Sequence, residues 1–180
     1  YGFQSLAEFN TLLERFGVAA EEIRGDVRGI PYRGLVYYVL DDDGQRTGAA
    51  VKASRLGDFF GWKALEEKFD ASKQRLRQHP ATLDRTRREI DRARSGGRNR
   101  KEFTAELREN GIDADFRDND AGRIYGVTFI DRTKHQVFNG SRLGKEYAAD
   151  AFEAWFNGRE QESSTPMPEE LRPLPPLEPP

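Results

Sequence analysis

Apolar residues recur at helical spacing near the start of the chain: Leu6, Phe9, Leu12, Leu13 and Phe16. Positions three and four apart share one face of an α-helix, so the stripe predicts an amphipathic helix. Ser5 stands before it and Glu8 follows three residues on, a capping-box pattern. Gly17 supplies the stop. Three strand-like segments come next, at residues 18–23, 35–40 and 47–52, the second rich in β-branched and aromatic side chains. A turn region from Gly25 to Gly29 separates the first two. Asp41-Asp42-Asp43-Gly44 is a hairpin turn between the second and third. A further helix is expected to run to Phe69.

The same pattern is then written again. Glu8-Phe9, Leu13 and Gly17-Val18 recur as Glu102-Phe103, Leu107 and Gly111-Ile112, at one constant offset. Gly34-Leu35-Val36-Tyr37-Tyr38 corresponds to Gly126-Val127-Thr128-Phe129-Ile130. Ser54-Arg55-Leu56-Gly57 recurs identically as Ser141-Arg142-Leu143-Gly144, and Ala64-Leu65-Glu66 and Phe69 reappear in register as Ala151-Phe152-Glu153 and Phe156. Agreement before and after one shared tetrapeptide marks an internal repeat. The second set of strands is expected at residues 112–116, 124–130 and 135–138. Its turns are Asp118-Asn119-Asp120-Ala121-Gly122 and the weaker Asp131-Arg132-Thr133-Lys134.

The predicted fold class is α+β: two tandem repeats of α-β-β-β-α with small antiparallel sheets, joined by a basic helical connector. The expected divisions are residues 1–70, a first repeat; 71–101, the connector; 102–158, a second repeat; and 159–180, a Pro-rich disordered tail. Within the connector, residues 82–94 can be helical between Pro80 and Ser95-Gly96-Gly97, with Leu83 and Ile90 as the only large apolar residues. One thin stripe on a polar helix suits a connector or a nucleic-acid-facing arm better than a core helix. Seven of the nine prolines fall between Pro166 and Pro180, and proline builds neither helix nor sheet interior. That segment reads as a flexible tail or, alternatively, a docking peptide for an aromatic groove.

Composition narrows the chemistry. The 180 residues contain no cysteine, which excludes disulfides, thiolate metal sites and a cysteine nucleophile. The two histidines, His79 and His135, lie far apart. No apolar run approaches the ~18 residues of a membrane span, and no membrane insertion is expected. The opening Tyr1-Gly2-Phe3 lacks an initiator Met and reads as a cut from a longer chain. Hydrophobic residues make up 36% and charged residues 33%, so a modest core carries a densely charged surface.

The net charge of −2 conceals an uneven distribution. Residues 70–101 hold eleven cations (Lys73, Arg75, Arg77, Arg85, Arg87, Arg88, Arg92, Arg94, Arg98, Arg100 and Lys101) against four carboxylates (Asp70, Asp84, Glu89 and Asp91). The flanking blocks are acidic. A basic middle is a candidate phosphate-contacting stretch; its alternative is a solvated linker whose arginines pair with the acidic neighbours. The shared tetrapeptide is expected to sit where a strand ends and a helix begins. Its Ser would cap, and its Arg would project at an anion-favouring helix N-terminus. The candidate nucleic-acid contacts are therefore Arg55, Arg142, Lys145, Arg75, Arg77, Arg85, Arg87, Arg88, Arg92 and Arg94. For Arg55 and Arg142 the alternative is a structural turn with a carboxylate partner.

Catalytic patterns are incomplete. There is no phosphate-binding glycine loop and no dinucleotide fingerprint. Asp41-Asp42-Asp43-Gly44 and Asp118-Asn119-Asp120 lack the ligand spacing of a calcium loop. No Ser/His/Asp set can be assembled. No catalytic residue, metal or cofactor is assigned, and this chain alone is not read as an enzyme.

In the second repeat, residues 110–113, 116–131 and 137–147 carry a resemblance. They include Asn110-Gly111-Ile112-Asp113, Phe116-Arg117-Asp118-Asn119-Asp120-Ala121-Gly122-Arg123-Ile124-Tyr125-Gly126 and Val137-Phe138-Asn139-Gly140-Ser141-Arg142-Leu143-Gly144-Lys145-Glu146-Tyr147. This run resembles the C-terminal region of relaxase/mobilization proteins of the MobB-like group, carried on Bacteroides-type conjugative and mobilizable elements. The likeness extends over about residues 5–157 and is looser in the first repeat. It implies a parent that nicks one DNA strand at a transfer origin, using a tyrosine nucleophile and a histidine-held metal in an N-terminal part. The expectation for this chain is then an accessory, cytoplasmic module. It would bind transfer-origin DNA, including single strands, during plasmid or transposon mobilization. The alternative is a protein-interaction or dimerisation module that docks the relaxase to other conjugative transfer proteins without touching DNA.

Overall fold

Helix α1 (Leu6–Glu14) starts at Ser5, whose hydroxyl accepts the Glu8 amide at 3.2 Å. The Glu8 carboxylate turns back to the Gln4 amide at 2.6 Å, one residue before the position a capping box would use. A computed structural model of the chain describes residues 1–97 and 99–164, with side chains to Gly158. The Pro-rich segment beyond Ser164, and Arg98, lie outside the described residues. α1 stops at Glu14, so Phe16, expected on its stripe, is left outside the helix and exposed.

Gly17, at φ 67°, redirects the chain into β1 (Val18–Val27). β1 pairs antiparallel with β2 (Ile30–Leu40) along its full length. The expected turn at residues 25–29 shrinks to Arg28-Gly29, with φ of 56° and 80°. Two left-handed residues match the twist of flanking strands, so the ladder persists to the tip; Asp26 anchors it by accepting the Gly29 amide at 2.6 Å. β3 (Arg46–Lys52) completes the first sheet, in order β1-β2-β3. At its hairpin, Asp41 accepts the Asp43 and Gln45 amides. The chain then makes α2 (Ala53–Leu56), a 3₁₀ turn (Asp58–Phe60), and α3 (Trp62–Gln78).

α4 (Ala81–Gly96) and α5 (Arg100–Glu109) follow, and α5 is capped by the Asn99 side chain. β4 (Ile112–Asp118), β5 (Ile124–Asp131) and β6 (Gln136–Asn139) form a second antiparallel sheet, in order β4-β5-β6. Then come α6 (Gly140–Leu143), a 3₁₀ turn (Lys145–Tyr147) and α7 (Ala149–Ser164). The structure is thus α+β with two small three-stranded antiparallel sheets. The same order of elements stands on each side of α4. α3 crosses the expected boundary at residue 70, and α7 continues past 158 to Ser164.

The second sheet is covered on both faces. Phe129 and Phe138, paired across β5 and β6, join Phe103, Leu107, Phe152 and Phe156 in one buried cluster. Their neighbours Ile130 and Val137 point the other way and pack with Phe3, Leu35, Tyr37 and Leu65, with Leu6 and Phe9 of α1 against them. α1 therefore lies between the two sheets. Its polar face is also buried: Glu8 and Thr11 are its two fully covered residues.

α4 is where the expected connector gives way to a core helix. Thr86, Ile90 and Ala93 are buried, and Ile90, Ala93 and Leu76 of α3 belong to the cluster of Phe103, Phe129 and Phe138. Thr86 and Ala93 are small, so the helix comes close enough to seat Ile90 fully; a stripe judged only by large residues misses this. Burying one such aliphatic side chain is worth about 1.5–3 kcal/mol.

Candidate nucleic-acid interface

The two copies of Ser-Arg-Leu-Gly adopt matching backbones. Each tetrapeptide forms part of a four-residue helix ended by glycine, Gly57 at φ 119° and Gly144 at φ 141°. The serines are not caps: Asn139 caps α6 by accepting from the amide and hydroxyl of Ser141. The arginines lie in the last turn of these short helices, not at the N-terminus of a long one. Their surroundings differ. Arg142 donates Nε–H to Glu8 at 2.8 Å and Nη1–H to Gln4 at 2.8 Å, because α1 passes over this turn. Arg55 is exposed with no ion-pair partner among the described residues.

The basic connector divides likewise. Arg85 binds the buried Asp131 carboxylate and the Asn110 carbonyl. Arg87 donates to the Leu143 carbonyl at 2.7 Å and pairs with Asp84. Arg94 donates to the Glu146 carbonyl at 2.5 Å and lies 4.1 Å over the Phe152 ring; burial lowers its pKa from the ordinary arginine value. These three, with Arg142, hold the fold. Arg75, Arg77, Arg88, Arg92 and Lys145 are exposed and unpaired among the described residues. Arg88 and Arg92 sit one turn apart on the side of α4 away from Ile90, about 5–6 Å from each other at Cβ. The structure does not gather all ten into one face.

A denser cationic site lies elsewhere. An open groove of about 700 Å³ is lined by Arg15, Lys101, Thr104, Arg108, Asp113 and Arg132, with Glu109 at its side. Asp113, on β4, is almost fully buried, and three guanidinium groups converge on its carboxylate: Arg15 at 2.8 Å, Arg108 at 3.4 Å and Arg132 at 3.4 Å. One carboxylate cannot use all the donors of three guanidinium forks. Arg108 is 75% exposed and Arg132 45%, so both keep N–H groups turned to the groove. Arg132 is further braced on the Arg108 carbonyl at 2.6 Å.

Planar guanidinium forks match phosphate oxygens in bidentate geometry. The arrangement is suited to an anion with several oxygens, held by arginines whose positions Asp113 has already set. Arg15 caps the C-terminal end of α1, Arg108 comes from α5 and Arg132 from the β5–β6 turn, and no sequence spacing announced them. Asp113 alternates with Asp115 in the strand Ile112-Asp113-Ala114-Asp115-Phe116, and that pattern by itself does not tell the buried carboxylate from the more exposed one.

Among the described residues there is no group of three His, Asp or Glu side chains placed to hold a metal ion. No helix among them is long and apolar enough to cross a membrane. Comparison with known proteins returns no matching family model, no matching curated protein and no matching solved structure.

Proposed function

We propose that the chain is a DNA-binding accessory module of a conjugative relaxase, taking backbone phosphates in the Asp113-centred groove. The observation that carries the reading is the convergence of Arg15, Arg108 and Arg132 on one buried carboxylate, with Lys101 alongside. Phosphate neutralisation by Lys and Arg supplies most non-specific nucleic-acid affinity. Arg55, Arg75, Arg77, Arg88, Arg92 and Lys145 serve as outlying phosphate contacts. In this reading the two α-β-β-β-α halves are products of duplication and α4 couples them. The module takes no catalytic step of its own. It works in the cytoplasm at the transfer origin beside other conjugative transfer proteins, and the relaxase assignment rests on the resemblance of residues 110–147.

Salt titration of binding to single- and double-stranded oligonucleotides tests it. The slope of log K against log salt reports contacts, at about 0.7–0.9 per phosphate. Lys101→Gln with Arg108→Gln, both exposed, should lower that slope by about 1–2 without changing thermal stability. Arg88→Gln with Arg92→Gln should lower it less. Absence of binding at low salt, or a slope indifferent to Lys101 and Arg108, would leave the protein-docking alternative in its place.

A further inference from the structure

The turn after the third strand is covered in one half and bare in the other. In the second half α4 lies on it. Arg87 and Arg94 donate to the carbonyls of Leu143 and Glu146, Asp91 accepts the Tyr147 hydroxyl at 2.9 Å, and Ile90 and Ala93 share a core with Leu143 and Tyr147. Leu143 is 1% exposed and Tyr147 6%. Burial, then the bond to Asp91, push the Tyr147 hydroxyl up to about 12. The first-half counterparts of Leu143 and Tyr147, at the same sequence offset, are Leu56 and Phe60. They stand 45% and 47% exposed, and Phe59 between them 88%. The backbone is the same in kind: a four-residue helix, a glycine at positive φ, a 3₁₀ turn and a long helix. Among the described residues no arginine reaches the Leu56 or Phe59 carbonyl.

We infer that the Leu56–Phe59–Phe60 surface docks an amphipathic, arginine-bearing helix of another polypeptide, seated as α4 is seated on the second half. α4 defines the chemistry of the occupant. An aliphatic residue faces the turn, as Ile90 does. Arginines stand three residues before it and four after, as Arg87 and Arg94 do, to cap the open carbonyls. Asp58 takes the place of Lys145 while Lys52 and Lys63 take those of Asn139 and Asp150, so the occupant is selected by its apolar face and its carbonyl-capping donors and not by net charge. Beside the bare surface lies a groove of about 510 Å³ lined by Gly57, Asp58, Gly61 and Trp62, with the Arg33 guanidinium 3.8 Å over the Trp62 ring. The inference rests on the equivalence of the two turns and is independent of DNA binding.

A labelled peptide of residues 80–97, the α4 sequence, is the probe, titrated into the full chain and followed by fluorescence anisotropy. Saturable binding is expected, weakened at least tenfold by Leu56→Ser with Phe59→Ser. Both side chains are exposed, so the melting temperature of that variant should hold. A peptide carrying Ile90→Ser should bind at least tenfold more weakly. Binding unchanged by Leu56→Ser and Phe59→Ser would place the peptide elsewhere and overturn the inference, as would no saturable binding. A peptide of residues 165–180 that binds this surface in place of the α4 peptide would also overturn it, by making the proline-rich segment the occupant.

Discussion

Replacing Glu8 by Gln keeps the shape of the side chain and removes what α1 is anchored by. Glu8 is fully buried. One carboxylate oxygen accepts the Asn139 amide at 2.9 Å and the Arg142 Nε–H at 2.8 Å; the other accepts the Gln4 amide at 2.6 Å. A glutamine has one acceptor oxygen. If that oxygen serves Asn139 and Arg142, its NH₂ confronts the Gln4 N–H, donor against donor. Losing a hydrogen bond to a buried charged group costs about 1.5–3 kcal/mol. Weakening the Arg142 pair adds about 0.5–1 kcal/mol, kept small because Arg142 is a third exposed and water partly replaces its partner. The expected destabilisation is about 2–4 kcal/mol, or about 5–15 °C in melting temperature for a chain of this size. Urea unfolding should show a lower midpoint with an unchanged slope. Combining Glu8→Gln with Arg142→Gln should cost less than the sum of the two single changes, since each removes the other's partner. A Glu8→Gln shift below about 0.5 kcal/mol, within the range of an ordinary surface substitution, would refute the claim that α1 is pinned between the sheets by this carboxylate.

Two further outcomes follow from the packing of α4. Ile90→Ala should destabilise by about 2–5 kcal/mol in urea unfolding, the range for emptying a well-packed core site; a cost under 1 kcal/mol would make α4 the peripheral connector its polarity suggests. Tyr147 has a folded pKa of about 12, above the ordinary 10, because burial and then Asp91 favour its neutral form. That contribution to stability is whole below pH 10 and is lost as pH rises through 12. Tyrosinate absorbance should show a late phase that Tyr147→Phe diminishes, the remainder belonging to Tyr37, which burial also raises, and a late phase unchanged by Tyr147→Phe would contradict it.

Much of the local structure was legible in the chain. The Leu6–Phe9–Leu13 stripe behind Ser5, the β-branched and aromatic run ending at Leu40, the Asp41–Gly44 hairpin and the order of elements around each Ser-Arg-Leu-Gly all depend on hydrogen bonds and side-chain contacts only a few residues apart. Strand length was less legible. β1 and β2 run on to Arg28-Gly29 because two left-handed residues close the hairpin, where a longer glycine-bounded turn had been expected.

Charge was the least legible property, since the partner of an ion is set by which elements cross and not by spacing. Arg55 and Arg142 occupy identical tetrapeptides, yet α1 passes over one and leaves the other in water. Glu8, expected only to close a capping box, is buried because Asn139 and Arg142 of the second half lie across that face of the helix. The arginine-rich α4 reads as a solvated arm, while Arg85, Arg87 and Arg94 bind carbonyls, a carboxylate and an aromatic ring of the second half. Arg15 meets Asp113 across 98 residues of sequence. The sequence by itself determined the elements, because helix and strand are settled within a turn or a pleat. Only the tertiary structure decided which charges are spent internally and which three arginines face a common groove, because electrostatic partners are chosen by distance in space.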